Sequence, residues 1–145
     1  MKSPIPSPIA QWAMAASMLL SAVSAFAEDG VTARQLLIGQ NITLQGGKND
    51  YGTAVQDGIS AYLSSVNAQG GVAGRQVVIK TLDDDNSATQ AEANARALVD
   101  QHKVFILFGS IEGGPSTAVM KAAVDLKVPF FGPMAGSPTL RRPHQ

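Results

Sequence analysis

The chain has 145 residues, equal numbers of acidic and basic side chains, and a formal net charge of zero at pH 7. This balance gives no electrostatic reason to bind nucleic acid or anionic lipid. The sequence contains no cysteine, which excludes disulfides and thiolate nucleophiles, and its two histidines give poor support for a histidine metal cluster or a serine triad.

Residues 1–27 have the pattern of a secretory signal peptide. Lys2 supplies a short basic region, residues 9–23 are mostly apolar and uncharged, and an Ala-Phe-Ala cleavage site ends at Ala27. An uncleaved membrane anchor is the alternative, but the apolar stretch is shorter than the roughly 20 residues that a transmembrane helix needs. We therefore predict export to the periplasm and a mature chain, residues 28–145, of single-domain size.

The mature chain is predicted to alternate strands and helices. Runs rich in branched apolar residues indicate strands at residues 36–42, 76–82, 104–108 and 128–131. Apolar residues at three- and four-residue spacing indicate helices that begin near Tyr51, after Ser87, and at Ser116 or Thr117. Asp50 is placed to cap the first helix, and the glycines of residues 67–74 are suited to end it.

Three consecutive aspartates, residues 83–85, follow the second predicted strand. Short acidic side chains favour turns, so we predict a solvated turn at this point. A metal or phosphoacceptor site is the alternative, but such sites in receiver domains need acids at the ends of the first and third strands. The aspartates are therefore interpreted as structural.

The alternation of strands and helices predicts an α/β fold with a doubly wound parallel sheet and right-handed crossovers. Ligands of such sheets bind beyond the carboxyl ends of the strands, where the strand order reverses. Residues 43–50 and 109–117 are expected to face one crevice there, and their glycine, serine, threonine and amide groups suit a small polar ligand. The same composition is typical of ordinary connecting loops, and neither GxxxxGK[ST] nor GxGxxG follows the first strand.

Four segments carry a resemblance to a known family: LLIGQNITLQGG, DYGTAVQDGISAYLSSVNAQGGVAGRQVVIKTLDDD, VFILFGS and VPFFGPMAGSPTL. Over about residues 31–140 the chain resembles the amino-terminal lobe of the periplasmic leucine/isoleucine/valine-type solute-binding proteins of ABC transporters. The resemblance implies a type I periplasmic binding protein lobe in a two-lobed, non-enzymatic receptor without a cofactor. Such a receptor closes around an amino acid or similar small solute and presents it to a membrane permease.

The resemblance also implies ligand-binding residues. Tyr51 corresponds to an aromatic residue that touches the ligand in the family, in a Tyr-Gly motif after the first loop. Ser110 matches a hydroxyl after the third strand, and the turn of Ala135, Gly136 and Ser137 matches the segment that holds the ligand's carboxylate and amine. Gly136 stands where the family often has an amine-binding threonine, so this position departs from the pattern of branched-chain amino acid receptors.

The chain is short for a two-lobed receptor, so residues 28–145 are expected to form a partial amino-terminal lobe with an exposed apolar sheet edge. Two other functions stay open at this point. One is a ligand-sensing module of the same fold, responsive to an amide or amino acid, that controls a partner protein. The other is a secreted enzyme, which lacks support because no nucleophile and base occur at a suitable spacing.

Overall fold

The computed structural model describes residues 28–45 and 49–141. The predicted signal peptide, residues 1–27, lies outside the described residues. The elements are β1 (Gln35–Ile42), α1 (Asn49–Ala68), β2 (Gln76–Asp83), α2 (Ala88–Asp100), β3 (Ile106–Ile111), α3 (Gly113–Leu126), β4 (Phe130–Met134) and a short 3₁₀ turn (Pro138–Leu140). The predicted order of strands and helices is confirmed. Within the described ranges, no helix combines the length and the apolar character needed to cross a bilayer.

The four strands form one parallel sheet in the order β2-β1-β3-β4. Ile38 of β1 is in register with Ile79 of β2 on one side and with Ile106 of β3 on the other. The chain leaves β1 toward β2, whereas it leaves β3 in the opposite direction toward β4. The sheet is therefore doubly wound, as predicted, and its order reverses between β1 and β3.

The hydrophobic core lies between the sheet and the pair formed by α2 and α3. Ala91 and Ala95 of α2 are fully buried, and the absence of a side chain at Gly39 leaves room for Leu98 and Val104 against β1. A Cβ on Gly39 would lie 2.9 Å from Val104 Cγ2. The small residues thus allow a close approach of α2 to the sheet.

Helix α1 lies on the opposite face of the sheet, since its residues line cavities with Ile38 and Phe108 rather than with the core. This face is incompletely covered. Tyr62 of α1 is 71% exposed and Phe131 of β4 is 68% exposed. An exposed apolar sheet edge was expected, and exposed Phe131 lies on such an edge because β4 is the last strand on its side of the sheet.

Two predicted helix starts are wrong. Helix α1 begins at Asn49, so Asp50 lies within its first turn and is not its cap. Helix α3 begins at Gly113, before the predicted cap at Ser116 or Thr117, because Glu112 adopts a positive φ of 66° and turns the chain directly into the helix. Pro115 is compatible with this early start, since a proline in the first turn removes no helical hydrogen bond.

Candidate functional site

The loop after β1 and the start of α1 meet the end of β3 at the carboxyl edge of the sheet. A Cβ on Gly52 would overlap the carbonyl oxygen of Thr43 and lie 3.3 Å from Ile111 Cδ1. Thr43 directly follows β1, and Ile111 is the last residue of β3. The first turn of α1, which includes Tyr51, therefore packs on the ends of both central strands.

The loops after β3 and β4 also meet at this edge. A Cβ on Gly113 would lie 3.7 Å from Ser137 Cβ. The Thr117 hydroxyl donates to the Gly113 carbonyl at 2.7 Å and lies 3.4 Å from Ser137 Oγ. The predicted crevice between the connections after β1 and β3 is thus extended by the turn after β4.

The five residues implied by the resemblance all lie toward this carboxyl edge, but their exposure differs. Tyr51 is 52% exposed, Ala135 and Ser137 are half-buried, and Gly136 is exposed. Ser110 lies within β3 in register with Pro133 and is fully buried. Its hydroxyl has no hydrogen-bond partner among the described residues, a state that is uncommon for a buried polar atom. The ligand-binding roles of these residues stay predictions.

The first turn of α3 supplies amide donors from Gly113 and Gly114, which lie within the predicted loop of residues 109–117. The opening amides of an α-helix have no acceptor within the helix, and Pro115 has no N–H. Gly113 and Gly114 therefore present their amides at the helix amino end, where the helix dipole favours an anion. Without side chains, neither glycine blocks an approaching ligand, and Thr117 and Ser137 supply hydroxyls beside Gly113.

An apolar cavity of about 420 Å³ lies on the sheet face, between α1 and the middle of β3 and β4. Its lining includes Val55, Ile59, Phe108 and Met134. Phe108 stacks on Phe131 with ring centroids 6.2 Å apart. Among the described residues, no group of three histidine, cysteine, aspartate or glutamate side chains is arranged to hold a metal ion. The edge itself offers hydrogen-bond donors for a small molecule, and the apolar cavity lies on the neighbouring sheet face.

The sequence profile of the periplasmic binding protein family matches residues 35–144. The chain belongs to the periplasmic binding protein family. No curated protein matches the chain significantly.

Solved structures of other periplasmic binding proteins share the fold. The branched-chain amino acid transporter substrate binding protein LivJ from Streptococcus pneumoniae, in complex with isoleucine, is 30% identical with a TM-score of 0.69, over 72% of this chain and 30% of its own. A periplasmic binding protein type 1 from Bordetella pertussis is 27% identical with a TM-score of 0.67, over 73% and 29%. The leucine binding protein LivK from Thermotoga maritima is 25% identical with a TM-score of 0.66, over 74% and 30%. The chain thus spans about 30% of the length of these proteins.

A buried polar network at the ends of β1 and β2 was missed by the sequence reasoning for this periplasmic binding protein. Asp84 is fully buried, so the prediction of a solvated turn is wrong at this residue, whereas Asp85 is exposed as expected. Asn41 Nδ2 donates to Asp84 Oδ2 at 2.6 Å, and the Thr43 hydroxyl donates to Asp84 Oδ1 at 2.7 Å. The amide of Asn86 donates to the same Oδ1 at 3.0 Å.

The network continues into α2. Gln90 Nε2 donates to Asn94 Oδ1 at 2.8 Å, and Asn94 Nδ2 donates to Asn41 Oδ1 at 3.0 Å. Burial raises the pKa of Asp84 above the usual aspartate value, although the hydrogen bonds from Thr43, Asn86 and Asn41 oppose that shift. A sequence signal existed: Asn94 is a polar residue on the apolar face of α2 that contains Ala91, Ala95 and Leu98.

Proposed function

We propose that the chain forms one wall of the solute-binding crevice in the extracytoplasmic solute-binding component of an ABC importer. One observation carries the proposal: the connections after β1, β3 and β4 converge at the edge where the strand order reverses, between β1 and β3. This is the position at which open parallel sheets bind ligands. Membership of the periplasmic binding protein family supports a binding role rather than catalysis.

The donors at the edge suit the carboxylate of an amino acid or a similar small acid. The amides of Gly113 and Gly114 lie at a helix amino end, and Ser137 and Thr117 contribute hydroxyls close to Gly113. Ala135 and Gly136 carry little or no side chain, so a solute can approach the backbone of their turn. Tyr51 offers an exposed aromatic ring on the side of α1.

The carboxyl of the solute is proposed to bind across the start of α3, with its remaining part against Tyr51. The Ser110 hydroxyl is covered in this conformation, so its proposed contact requires a local movement that opens the end of β3.

The opposite wall of the crevice, and a membrane permease that receives the solute, are proposed as partners from the family likeness. Periplasmic location is proposed on the same basis and on the predicted signal peptide.

The proposal is tested on protein produced with residues 1–27, the predicted signal peptide, and recovered from the periplasmic fraction. Amino acids, short peptides, amides and aromatic acids are screened by thermal shift, and hits are measured by calorimetry. A solute at a hundred times its Kd is expected to stabilise the protein by about 2.7 kcal/mol. Absence of any hit in all four classes would contradict the proposed function.

A pair of glycine variants locates the site. Gly113→Ala adds a methyl group 3.7 Å from Ser137 Cβ, an ordinary contact for folding that narrows the approach to the start of α3. We expect it to weaken solute binding at least about tenfold, the value of one good hydrogen bond lost. Gly58→Ala is the control for an added methyl group away from the start of α3, because a Cβ on Gly58 would meet no atom within 4 Å and Gly58 faces the apolar cavity beside α1 instead. Equal affinities of the two variants would place the site elsewhere.

A further inference from the structure

Two consecutive aspartates at the end of β2 hold two consecutive residues that leave β1. The Thr43 hydroxyl donates to Asp84 Oδ1 at 2.7 Å, and the backbone amide of Leu44 donates to Asp83 Oδ1 at 2.9 Å. The amide of Asp84 also donates to the Ile42 carbonyl at 3.3 Å. The direction in which the chain leaves β1 is therefore set by the turn after β2.

Thr43 in turn sets the position of α1. Gly52 packs so closely on the Thr43 carbonyl that a Cβ at position 52 would overlap that oxygen. A displacement of Thr43 must therefore displace the first turn of α1, which includes Tyr51. A continuous line of contacts leads from buried Asp84 through Thr43 and Gly52 to the carboxyl edge.

We propose that Asp84 is a positioning residue that fixes Thr43 and, through Thr43, the first turn of α1 with Tyr51 at the carboxyl edge. Its effect on solute binding rests on the proposed function. Its effect on the position of α1 does not depend on that function. The two consequences are therefore measured separately.

The hydrogen bonds that end on the Asp84 carboxylate all run in one direction. Gln90 donates to Asn94, Asn94 donates to Asn41, and Asn41 donates to Asp84, which also accepts from Thr43 and Asn86. Both carboxylate oxygens are thus acceptors. An asparagine amide at position 84 places an NH₂ group against a donor in either orientation, since Asn41 cannot flip without losing its bond from Asn94. The isosteric Asp84→Asn change therefore disrupts the line of contacts.

Hydrogen exchange followed by mass spectrometry tests the positioning role without any solute. In Asp84→Asn and Thr43→Val, the amide of Leu44 and the helical amides of residues 53–56 in α1 are expected to exchange about tenfold faster, the value of one lost hydrogen bond, relative to amides of β3 and α3. Asp85→Asn is the matched control, because Asp85 is exposed and its φ of 49° is readily adopted by asparagine. Thr43→Ser keeps the hydroxyl and is expected to behave like the parent.

The outcomes separate positioning from general stabilisation. Unchanged exchange at Leu44 and residues 53–56 in both variants would overturn the proposal. A uniform rise in exchange throughout the chain, or the same rise in Thr43→Ser as in Thr43→Val, would overturn it as well. If Asp84→Asn does not fold, Thr43→Val decides, since it removes a single hydroxyl. Calorimetry with L-isoleucine follows: weaker binding by Asp84→Asn than by Asp85→Asn supports the link to the crevice, and equal binding refutes that link. If L-isoleucine does not bind the parent, the choice of solute fails while the exchange result still stands.

Discussion

Replacing Asp84 by alanine is expected to cost far more stability than an ordinary substitution of an acidic residue in a turn. The change removes the acceptor of three donors: Asn41 Nδ2, the Thr43 hydroxyl and the amide of Asn86. Asn41 and Thr43 are buried, whereas Asn86 is exposed, so its backbone amide can donate a hydrogen bond to water instead. Each buried donor left without an acceptor costs about 1–3 kcal/mol.

The removal of a buried carboxylate partly offsets this cost, because desolvation of the charge is also relieved. The net loss expected for Asp84→Ala is about 2–4 kcal/mol. Urea unfolding followed by circular dichroism measures it. The Thr43→Val variant completes a double-mutant cycle, in which a coupling of about 1–2 kcal/mol between Asp84 and Thr43 is expected for residues in direct contact.

A loss below about 0.5 kcal/mol for Asp84→Ala, the range of ordinary surface substitutions, would refute the reasoning. A coupling near zero would show that the hydrogen bond between Thr43 and Asp84 does not contribute to stability. Asp85→Ala is a control for removing an acidic side chain from the same turn, although its positive φ adds a small backbone cost for alanine.

Three further predictions concern the packing of Gly52, the pH dependence of stability and self-association through exposed Phe131. Gly52→Ala is expected to lower the unfolding free energy by at least about 1–3 kcal/mol in urea titrations, because its Cβ would overlap the Thr43 carbonyl, while Gly58→Ala leaves it unchanged or higher. The raised pKa of Asp84 means that the folded protein binds this proton more tightly than the unfolded chain. As the pH falls through the folded pKa of Asp84 toward 3.8, the parent is therefore expected to gain unfolding free energy relative to Asp84→Asn. A difference in unfolding free energy between the two proteins that does not change over this pH range would contradict the prediction. Phe131→Lys is expected to reduce self-association in light scattering more than Val72→Lys, which adds the same charge far from the β4 edge.

The architecture was predictable because its determinants are local. The branched runs of β1 and β3 and the alanine pattern of α2 can be recognised within single segments, and the alternation of strands and helices then limits the topology to a few arrangements. The neighbouring placement of β1 and β3 followed from those arrangements and is confirmed. The start of α3 was mispredicted because Gly113, Gly114 and Pro115 resemble a loop in sequence, although the positive φ of Glu112 makes them the first turn of a helix.

The burial of Asp84 could not be predicted from its own segment. Its partners come from β1, and the donor chain that orients Asn41 comes from α2, so the network exists only after the three elements have assembled. The burial of Ser110 could not be predicted from its own segment either, because burial at the end of β3 depends on elements that pack from elsewhere in the chain. Local sequence therefore predicts which loops meet, while the roles of individual polar side chains depend on tertiary packing.

Mapping a solute by nuclear magnetic resonance on the isotopically labelled protein tests the central claim most directly. With a solute found in the thermal-shift screen, the largest amide shifts are expected at Tyr51, Gly113, Gly114 and the turn of Ala135 to Ser137. Shifts confined to the outer surfaces of α2 and α3, or to the opposite edge of the sheet near Gly30, would contradict a binding crevice at the carboxyl edge.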